Sequence, residues 1–195
     1  AAGIVLCLFG LTFLILTPLY DTNDEPVMGL VASGYGTVVG PDEHLLYTNV
    51  LIGLLLKHLY MLAPLIPWYG GYLLLTQFVA HWLLLYSMLL LKRNRLILFS
   101  YLMFYVGVGV YFLVHVQFTS TAFLIGLAGL SLIMVSLMLD CRDRHRPWLK
   151  WEGACCLIFA SLVRFQSLQM LVLTSLPMLL LLFYQYFSSL KIKVY

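Results

Sequence analysis

The sequence predicts an all-α, polytopic membrane protein with about six transmembrane helices and short interfacial helices on its outer face. Two observations lead to this fold class. First, 63% of the 195 residues are hydrophobic and only 10% are charged, whereas about a quarter are charged in an ordinary soluble domain. Second, apolar runs recur along the whole chain, so a single signal peptide does not account for them. A chain of this size cannot bury so much apolar surface in one core, and lipid must therefore cover the rest.

Apolar runs of suitable length define the predicted spans, because a hydrocarbon core about 30 Å thick needs roughly 20 residues of helix. The stretch 153–188 would form a helix of about 54 Å, which is too long for one crossing. We therefore expect a break between Arg164 and Ser167. The six predicted spans are residues 3–20, 69–91, 96–116, 121–139, 148–163 and 169–187.

The basic residues indicate which side of the membrane is cytoplasmic. Nine of the eleven Lys and Arg residues lie in three clusters, at 92–95, 142–150 and 191–193, with two predicted spans between successive clusters. The positive-inside rule puts all three in the cytoplasm. Five of the eight acids lie between Asp21 and Glu43, a stretch without Lys or Arg. That stretch is predicted to lie outside.

Residues 45–62 are apolar enough for a span. In the predicted orientation, however, the first span ends outside and the span 69–91 begins outside, so the segment between them cannot cross the membrane. At 100° per residue, their polar positions fall within one arc of about 80°. This pattern favours an interfacial or re-entrant helix on the outer face. The alternative is an ordinary span, with the first helix running in the opposite direction. The polar positions are Asn49, Gly53, Lys57 and Tyr60.

A second short helix is predicted at the start of the outer loop. Asn23 and Asp24 are helix-start residues placed before Pro26, which suits a first helical turn. The helix should run through Val31 and end near Gly34, because glycine commonly ends helices.

The whole chain, 1–195, is predicted to form a single transmembrane domain. It consists of the first span (1–20), an extracytoplasmic loop with interfacial helices (21–68) and a helical bundle (69–190). The chain begins without an initiator Met and already within an apolar run. We therefore expect it to be the amino-terminal part of a longer membrane protein, or a processed one.

Several classes of function are excluded or disfavoured. The basic residues are few and lie in short loops, so no nucleic-acid partner is expected. The sequence contains no P-loop, GxSxG, HExxH or dinucleotide-binding motif, which removes support for soluble-type nucleotide chemistry. The four cysteines form no CxxC pair and are expected to be reduced thiols. His81 and His115 are expected to be structural, hydrogen-bonded residues.

The acidic outer loop contains candidate catalytic residues. Asp24 and Glu25 follow the first span, and Asp42, Glu43 and His44 precede the predicted interfacial helix. Carboxylates at a membrane surface can take a proton from an acceptor hydroxyl or hold a divalent cation against a phosphate. The alternative is a hydrated loop whose acids complement helix N-termini.

Arg164 is the second candidate, because a guanidinium near membrane depth is costly and is usually paired or functional. By the predicted topology it lies near the outer end of its span. Its fork of N–H donors suits the phosphate of a lipid carrier. The alternatives are a snorkelling anchor and a partner for an outer carboxylate. Lys57 is a weaker candidate of the same kind.

Two short motifs carry a resemblance to a known family. The sequence Asn23-Asp24-Glu25-Pro26, directly after the first span, resembles the Asp-Glu motif of protein O-mannosyltransferases and aminoarabinose transferases. Asp42-Glu43-His44 is similar to the second acidic or Asp-x-His motif of that branch. The layout of residues 1–190 resembles the GT-C fold of polyprenyl-phosphate-sugar glycosyltransferases. The sequence departs from the mannosyltransferases after His44, where leucines replace their His-Pro-Pro.

The resemblance implies a multi-pass glycosyltransferase of the bacterial inner (plasma) membrane, acting in cell-envelope polysaccharide synthesis. It would move a sugar, with inversion, from a polyprenyl-phosphate donor to a glycan, lipid or protein acceptor on the extracytoplasmic face. Asp24 would be the general base and Glu25 would assist it, with a divalent cation as a further implied ligand of the acids. The implied substrate-binding residues are Asp42, Glu43, His44, Lys57 and Arg164.

Other classes of function remain open. A transporter or flippase component would need polar residues or broken helices near the midplane of several spans, and residues 96–116 and 121–139 contain few polar side chains. A polymerase or ligase of surface polysaccharide would use the same outer face. In a non-enzymatic membrane scaffold the outer carboxylates would be dispensable.

Overall fold

The computed structural model describes residues 1–36, 40–140 and 146–193, with side chains at all of these except 185 and 187–193. Cys141 and His145, and two basic residues of the predicted cytoplasmic cluster at 142–150, lie outside the described residues. Within the described ranges the regular secondary structure consists of helices and two short strands, which are joined by turns and loops. The helices are α1 (Ala2–Ile15), α2 (Asp24–Ser33), α3 (Val50–Leu62), α4 (Trp68–Leu91), α5 (Arg95–Phe104), α6 (Val110–Val114), α7 (Phe118–Asp140) and α8 (Trp148–Lys193).

Four helical stretches are long and apolar enough to cross a bilayer. They fit a lipid bilayer as partner and confirm the all-α class, whereas the count of about six spans stays a prediction. The shorter apolar helices are α1 and α3. The four stretches are Trp68–Leu91, Arg95–Val114, Phe118–Asp140 and Trp148–Tyr184.

The first helix is shorter than the predicted span 3–20. α1 has 14 residues, which corresponds to about 21 Å of helix. The chain is already extended at Leu16, where φ is −127° and ψ is 138°. Pro18 explains this end, because proline cannot donate a backbone hydrogen bond and disfavours helical geometry in the residue before it.

The helix α8 is interrupted at Arg164, whose backbone is extended with φ −158° and ψ 106°. The predicted break is therefore confirmed. Lys150 Nζ lies 5.7 Å from the centroid of the Tyr186 ring. In a straight helix these two residues would be about 54 Å apart. The chain therefore reverses at Arg164, and the segments 148–163 and 165–193 run antiparallel.

Two strands of two residues join distant parts of the chain. β1 (Leu19–Tyr20) follows α1, β2 (His115–Val116) follows α6, and the two pair in parallel. Asp21 extends the contact, because its N–H donates to the carbonyl of Val116 (3.3 Å) and its carboxylate lies 3.5 Å from Nδ1 of His115. The ends of α1 and α6 therefore lie at the same end of the bundle. The predicted orientation also puts these two ends on one side of the membrane.

The short helices α2 and α3 pack on the ends of the long helices through one buried cluster. Its most buried members come from five different elements, so α2 and α3 belong to the same packed unit as the bundle. Among them are Met28, Leu56, Tyr69, Phe118 and Val163. α2 ends where the sequence predicts, at Gly34, whose φ of 78° is left-handed.

The polar stripe of α3 makes specific contacts. Asn49 caps the first turn by accepting a hydrogen bond from the N–H two residues further on (3.0 Å). Lys57 pairs with Glu43, and Gly53 lies against the backbone carbonyl of Glu43, where a Cβ would collide with it. The 13 residues of α3 span about 20 Å, so it is not among the four candidate spans. Its predicted position on the outer membrane surface stays a prediction.

A π-helical turn, Tyr105–Gly109, joins α5 to α6. The turn lies against His81 of α4, which is fully buried. A Cβ at Gly109 would come within 2.8 Å of the imidazole Cε1, so only glycine leaves room for the ring. The Nδ1 atom of His81 lies 3.3 Å from the hydroxyl of Tyr101, as expected for a structural histidine.

The helices α7 and α8 approach each other at two glycines. A Cβ at Gly129 would lie 2.8 Å from the carbonyl oxygen of Gly153, and a Cβ at Gly153 would lie 2.6 Å from Cγ1 of Ile133. Small residues at a helix crossing allow backbones to approach closely in membrane proteins. α7 is also the most buried of the four candidate spans. The contact between α7 and α8 therefore holds the centre of the bundle.

Replacing Gly153 with Leu is expected to lower the Tm of the detergent-solubilised protein, because the new side chain would force α7 and α8 apart. Overpacking of this kind typically costs about 1–3 kcal/mol. Gly10→Leu is the matched control, because nothing lies within 4 Å of a Cβ at Gly10. An unchanged Tm in the Gly153 variant, or the same loss in both variants, would contradict the close contact.

Candidate functional site

The Asp-Glu pair opens α2, and its two carboxylates have different surroundings. Asp24 is exposed, whereas Glu25 is 0% exposed. Oε2 of Glu25 accepts hydrogen bonds from the backbone N–H of Thr22 (3.2 Å) and from the Thr22 hydroxyl. This is one half of a capping box, in which a glutamate reaches back to the residue three positions earlier. The Thr22-x-x-Glu25 spacing is visible in the sequence and indicates a structural role for Glu25.

The other oxygen of Glu25 faces the protein interior. Oε1 is buried and has no hydrogen-bond partner in the described part of the chain. Of the two predicted catalytic carboxylates, Asp24 is the one that meets water, and Glu25 fixes the start of α2.

A second acidic group precedes α3. One Asp42 oxygen accepts hydrogen bonds from the backbone N–H (3.0 Å) and from Nδ1 (2.9 Å) of His44. Glu43 forms an ion pair with Lys57, with an N–O distance of 2.5 Å. Lys57 is thus paired with a carboxylate and is not a free ligand for a phosphate.

The same group has the donor atoms of a divalent cation site. Asp42, Glu43 and His44 each offer one ligand atom, and these atoms all lie within 4.8 Å of one another. Carboxylate oxygen and imidazole nitrogen suit several divalent metals. The ammonium group of Lys57 already neutralises Glu43, so a cation would compete with Lys57 for this carboxylate.

The charges of this group favour binding over proton transfer. Hydrogen bonds from the backbone N–H and the imidazole of His44 lower the pKa of Asp42. The hydrogen bond from Lys57 lowers the pKa of Glu43, and Glu43 raises the pKa of Lys57 in return. An efficient general base has a pKa near the operating pH. Asp42 and Glu43 are therefore weak bases that stay ionised, which suits them to orient an acceptor or hold a cation.

The structure places the two acidic motifs at opposite ends of α2. Asp24 is the first residue of the helix. The N–H of Asp42 donates to the carbonyl of Val31 (3.1 Å), near the last turn. Seven residues of α-helix rise about 10 Å. The sequence groups these acids by spacing alone, and the structure does not bring Asp24 and Asp42 side by side.

Arg164 lies where α8 reverses and interacts with four neighbours. Nη1 donates to the hydroxyl of Thr119, and Nη2 donates to the side-chain oxygen of Gln166 (3.4 Å). Its Cζ lies 4.8 Å from the centroid of Phe118 and 5.5 Å from that of Tyr47. Within the described part of the chain, no carboxylate lies within 4.0 Å of the guanidinium. An acidic partner, one of the predicted alternatives, is therefore not found there.

The loop before α3 reaches this arginine, which the sequence does not predict. Tyr47 stacks on Phe118, with ring centroids 6.0 Å apart and planes at 6°. Its φ of 62° is left-handed, which is uncommon for a bulky residue. The N–H of Asn49 donates to the carbonyl of Leu162 (2.9 Å). The loop that carries the second acidic group is thereby attached to the reversal of α8.

A cavity of about 510 Å³ opens beside Arg164. It lies between the end of α6, the start of α7 and the reversal of α8. One part of its wall is polar and the other is apolar. The polar lining residues are Gln117, Thr119, Ser120, Arg164, Gln166 and Ser167, and the apolar ones are Phe112, Phe123 and Met170.

No protein-family model matches the sequence, and no curated protein or solved structure matches it either. The resemblance to the GT-C fold therefore rests on the two acidic motifs and on the order of helices. The activity, donor and acceptor that the resemblance implies stay predictions at this point.

Replacing Lys57 with Gln is expected to raise the pKa of Glu43 toward the ordinary value of about 4.3, because the ammonium group that stabilises its charge is lost. The pKa of Asp42 should change less, because hydrogen bonds from His44 are the main cause of its lowered value. Titration of the side-chain carboxyl ¹³C resonances in micelles measures both. In the wild type, the stability from these lowered pKa values is present above the unfolded pKa and is lost as pH falls through the folded pKa.

The control for this titration is Lys92→Gln, because Lys92 is exposed in the predicted inner loop after α4. This substitution should leave the pKa values of Asp42 and Glu43 unchanged. An unaltered Glu43 pKa in the Lys57 variant would mean that the ion pair does not form in solution.

Proposed function

We propose that this chain is a membrane glycosyltransferase of the GT-C type, which moves a sugar from a polyprenyl-phosphate carrier to an acceptor outside the cytoplasm. The observation that carries the proposal is the presence of an exposed carboxylate and, on other helices, of a guanidinium without a carboxylate partner. Asp24 is exposed at the start of α2, while Arg164 has no carboxylate partner among the described residues and lies at the break of α8, where it contacts the start of α7.

The β1–β2 ladder brings the segments that lead to Asp24 and to Thr119 to the same end of the bundle. Asp24 follows β1 by four residues, and Thr119, which accepts a hydrogen bond from Arg164, follows β2 by three residues. Because the strands pair in parallel, both segments leave the ladder at the same end of the bundle. A base in water and a cation at headgroup depth are what transfer from a lipid phosphate requires.

In the proposed reaction, the Asp24 carboxylate takes the proton of the acceptor hydroxyl as its oxygen bonds to the anomeric carbon. The bond from that carbon to the phosphate oxygen breaks on the opposite face, so the anomeric configuration inverts. The electron pair stays on the phosphate, and Arg164 neutralises the developing charge. Asp42, Glu43 and His44 would orient the acceptor or hold a divalent cation.

Replacing Asp24 with Asn is expected to lower sugar transfer about 10²- to 10⁴-fold, the usual contribution of a general base. Transfer is measured with membranes that carry the full-length protein and with radiolabelled polyprenyl-phosphate sugars, at equal expression. Asp24→Glu should retain part of the activity, because it keeps the carboxylate.

The matched control is Asp21→Asn, which removes a carboxylate from the same loop. Asp21 pairs with His115 and has no role in the proposed reaction. Transfer that is unchanged in properly inserted Asp24→Asn would reject the proposal and favour a scaffold or a transport component. Equal loss in both variants would show that only the charge of the loop matters.

The proposal also needs residues 21–68 to lie outside the bacterial inner membrane. In a variant whose native cysteines are replaced by serine, Tyr35→Cys should react with an impermeant maleimide added outside intact cells, and Arg93→Cys should not. Both positions are exposed. Reaction of the Arg93 variant alone would reverse the orientation and put Asp24 in the cytoplasm.

A further inference from the structure

Two fully buried polar side chains lie at the middle of α4, and each has one atom without a hydrogen-bond partner. Gln77 and His81 are the tenth and fourteenth of the 24 residues of this helix, and both are 0% exposed. In the part of the chain that the structure describes, Oε1 of Gln77 and Nε2 of His81 have no partner. An unpaired buried polar atom is unfavourable, so these two atoms indicate that a further molecule binds between them.

The amide group of Gln77 is held at its nitrogen. Nε2 donates to the hydroxyl of Thr121 on α7 (3.0 Å), and this hydroxyl donates in turn to the backbone carbonyl of Gln117 (2.8 Å). A threonine hydroxyl has one proton, so towards Gln77 its oxygen can only accept. The amide nitrogen of Gln77 therefore faces Thr121, and Oε1 is left as an acceptor that lacks a donor.

The imidazole of His81 is held at its Nδ1 atom. The hydroxyl of Tyr101 on α5 lies 3.3 Å from Nδ1. If this hydroxyl accepted from Nδ1, its own proton would have no acceptor among the described residues. Donation from Tyr101 to Nδ1 satisfies both groups and leaves the ring proton on Nε2. The nearby Tyr105 hydroxyl is already paired with Thr12 (2.8 Å). Nε2 of His81 is therefore a donor that lacks an acceptor.

The acceptor on Gln77 and the donor on His81 lie one helical turn apart. Residues four positions apart on a helix have Cβ atoms about 5–6 Å apart, and helical side chains lean towards the preceding turn. The His81 ring therefore leans towards Gln77, although the two atoms form no direct hydrogen bond. A bridging water commonly completes a polar contact of more than about 3.5 Å. One water can accept from Nε2 of His81 and donate to Oε1 of Gln77.

We propose that one buried water molecule binds between Gln77 and His81 at the middle of the bundle. The water completes a continuous chain of hydrogen bonds, in which each group donates to the next from Tyr101 through α4 and Thr121 to the carbonyl of Gln117. Buried waters occupy polar sites of this kind and form part of the structure. The chain joins three of the four candidate spans, and it does not depend on the proposed sugar transfer.

Solid-state ¹⁵N NMR of the full-length protein in phosphatidylcholine nanodiscs tests this site. With ¹⁵N-labelled histidine, the signals of His81 are those that disappear in His81→Phe, and sequential assignment identifies them where that variant fails to fold. We expect the ring proton on Nε2 and magnetisation transfer from water to this proton. A ring proton on Nδ1, or no transfer from water, would overturn the inference.

Replacing Gln77 with Leu removes the acceptor of the proposed water. The Nε2 proton of His81 should then lose most of its magnetisation transfer from water, because the water keeps only one of its two partners. Gln169→Leu is the matched control, because it makes the same substitution at an exposed position of α8, and it should leave the transfer unchanged. Wild-type transfer in folded Gln77→Leu would show that Gln77 does not hold the water.

Thermal unfolding distinguishes a shared water from two independent polar groups. Gln77→Leu and His81→Phe should each lower the Tm, because each leaves the other residue without its bridge. The double variant should lose less than the sum of the two single losses, since it leaves neither group of the pair behind. Additive losses would show that the two side chains share no water. Neither measurement involves a sugar donor or acceptor, so the outcome is separate from that of the proposed function.

Discussion

The pairing of β1 with β2 is the constraint on which the end of the bundle that carries α2 and α3 depends. Backbone N–H and C=O groups need hydrogen-bond partners, and these strands supply partners to each other where α1 and α6 end. The ladder joins the ends of two helices, α1 and α6, that are almost 100 residues apart in sequence. One strand leads to Asp24. The other leads to Thr119, which accepts a hydrogen bond from Arg164.

The candidate groups differ in burial and in pairing. Asp24 meets water, Glu25 is enclosed and holds the helix start, and Lys57 is paired with Glu43. Arg164 remains the cation with unused donors among these groups. The charged residues thus have different roles in the structure. Their burial and their ion pairs determine which of them is available to a substrate.

Some of this arrangement follows from the sequence, and some does not. The length of the last apolar stretch requires a break, which the structure has at Arg164, and Gly34 ends α2 as glycine commonly does. The ladder is not predictable, because two residues per strand are too few for an alternating pattern. Nor does spacing reveal the burial of Glu25 or the left-handed Tyr47, since both depend on neighbours that are distant in sequence.

The π-helical turn at Tyr105–Gly109 fixes the rotational phase of α6, which follows it directly and ends at β2. A π turn accommodates one residue more than an α-helical turn, and one residue corresponds to a rotation of about 100°. Were the span wound as a continuous α-helix, β2 would present different side chains to β1. The extra residue beside the buried His81 therefore affects which side chains the chain presents where α6 meets β2.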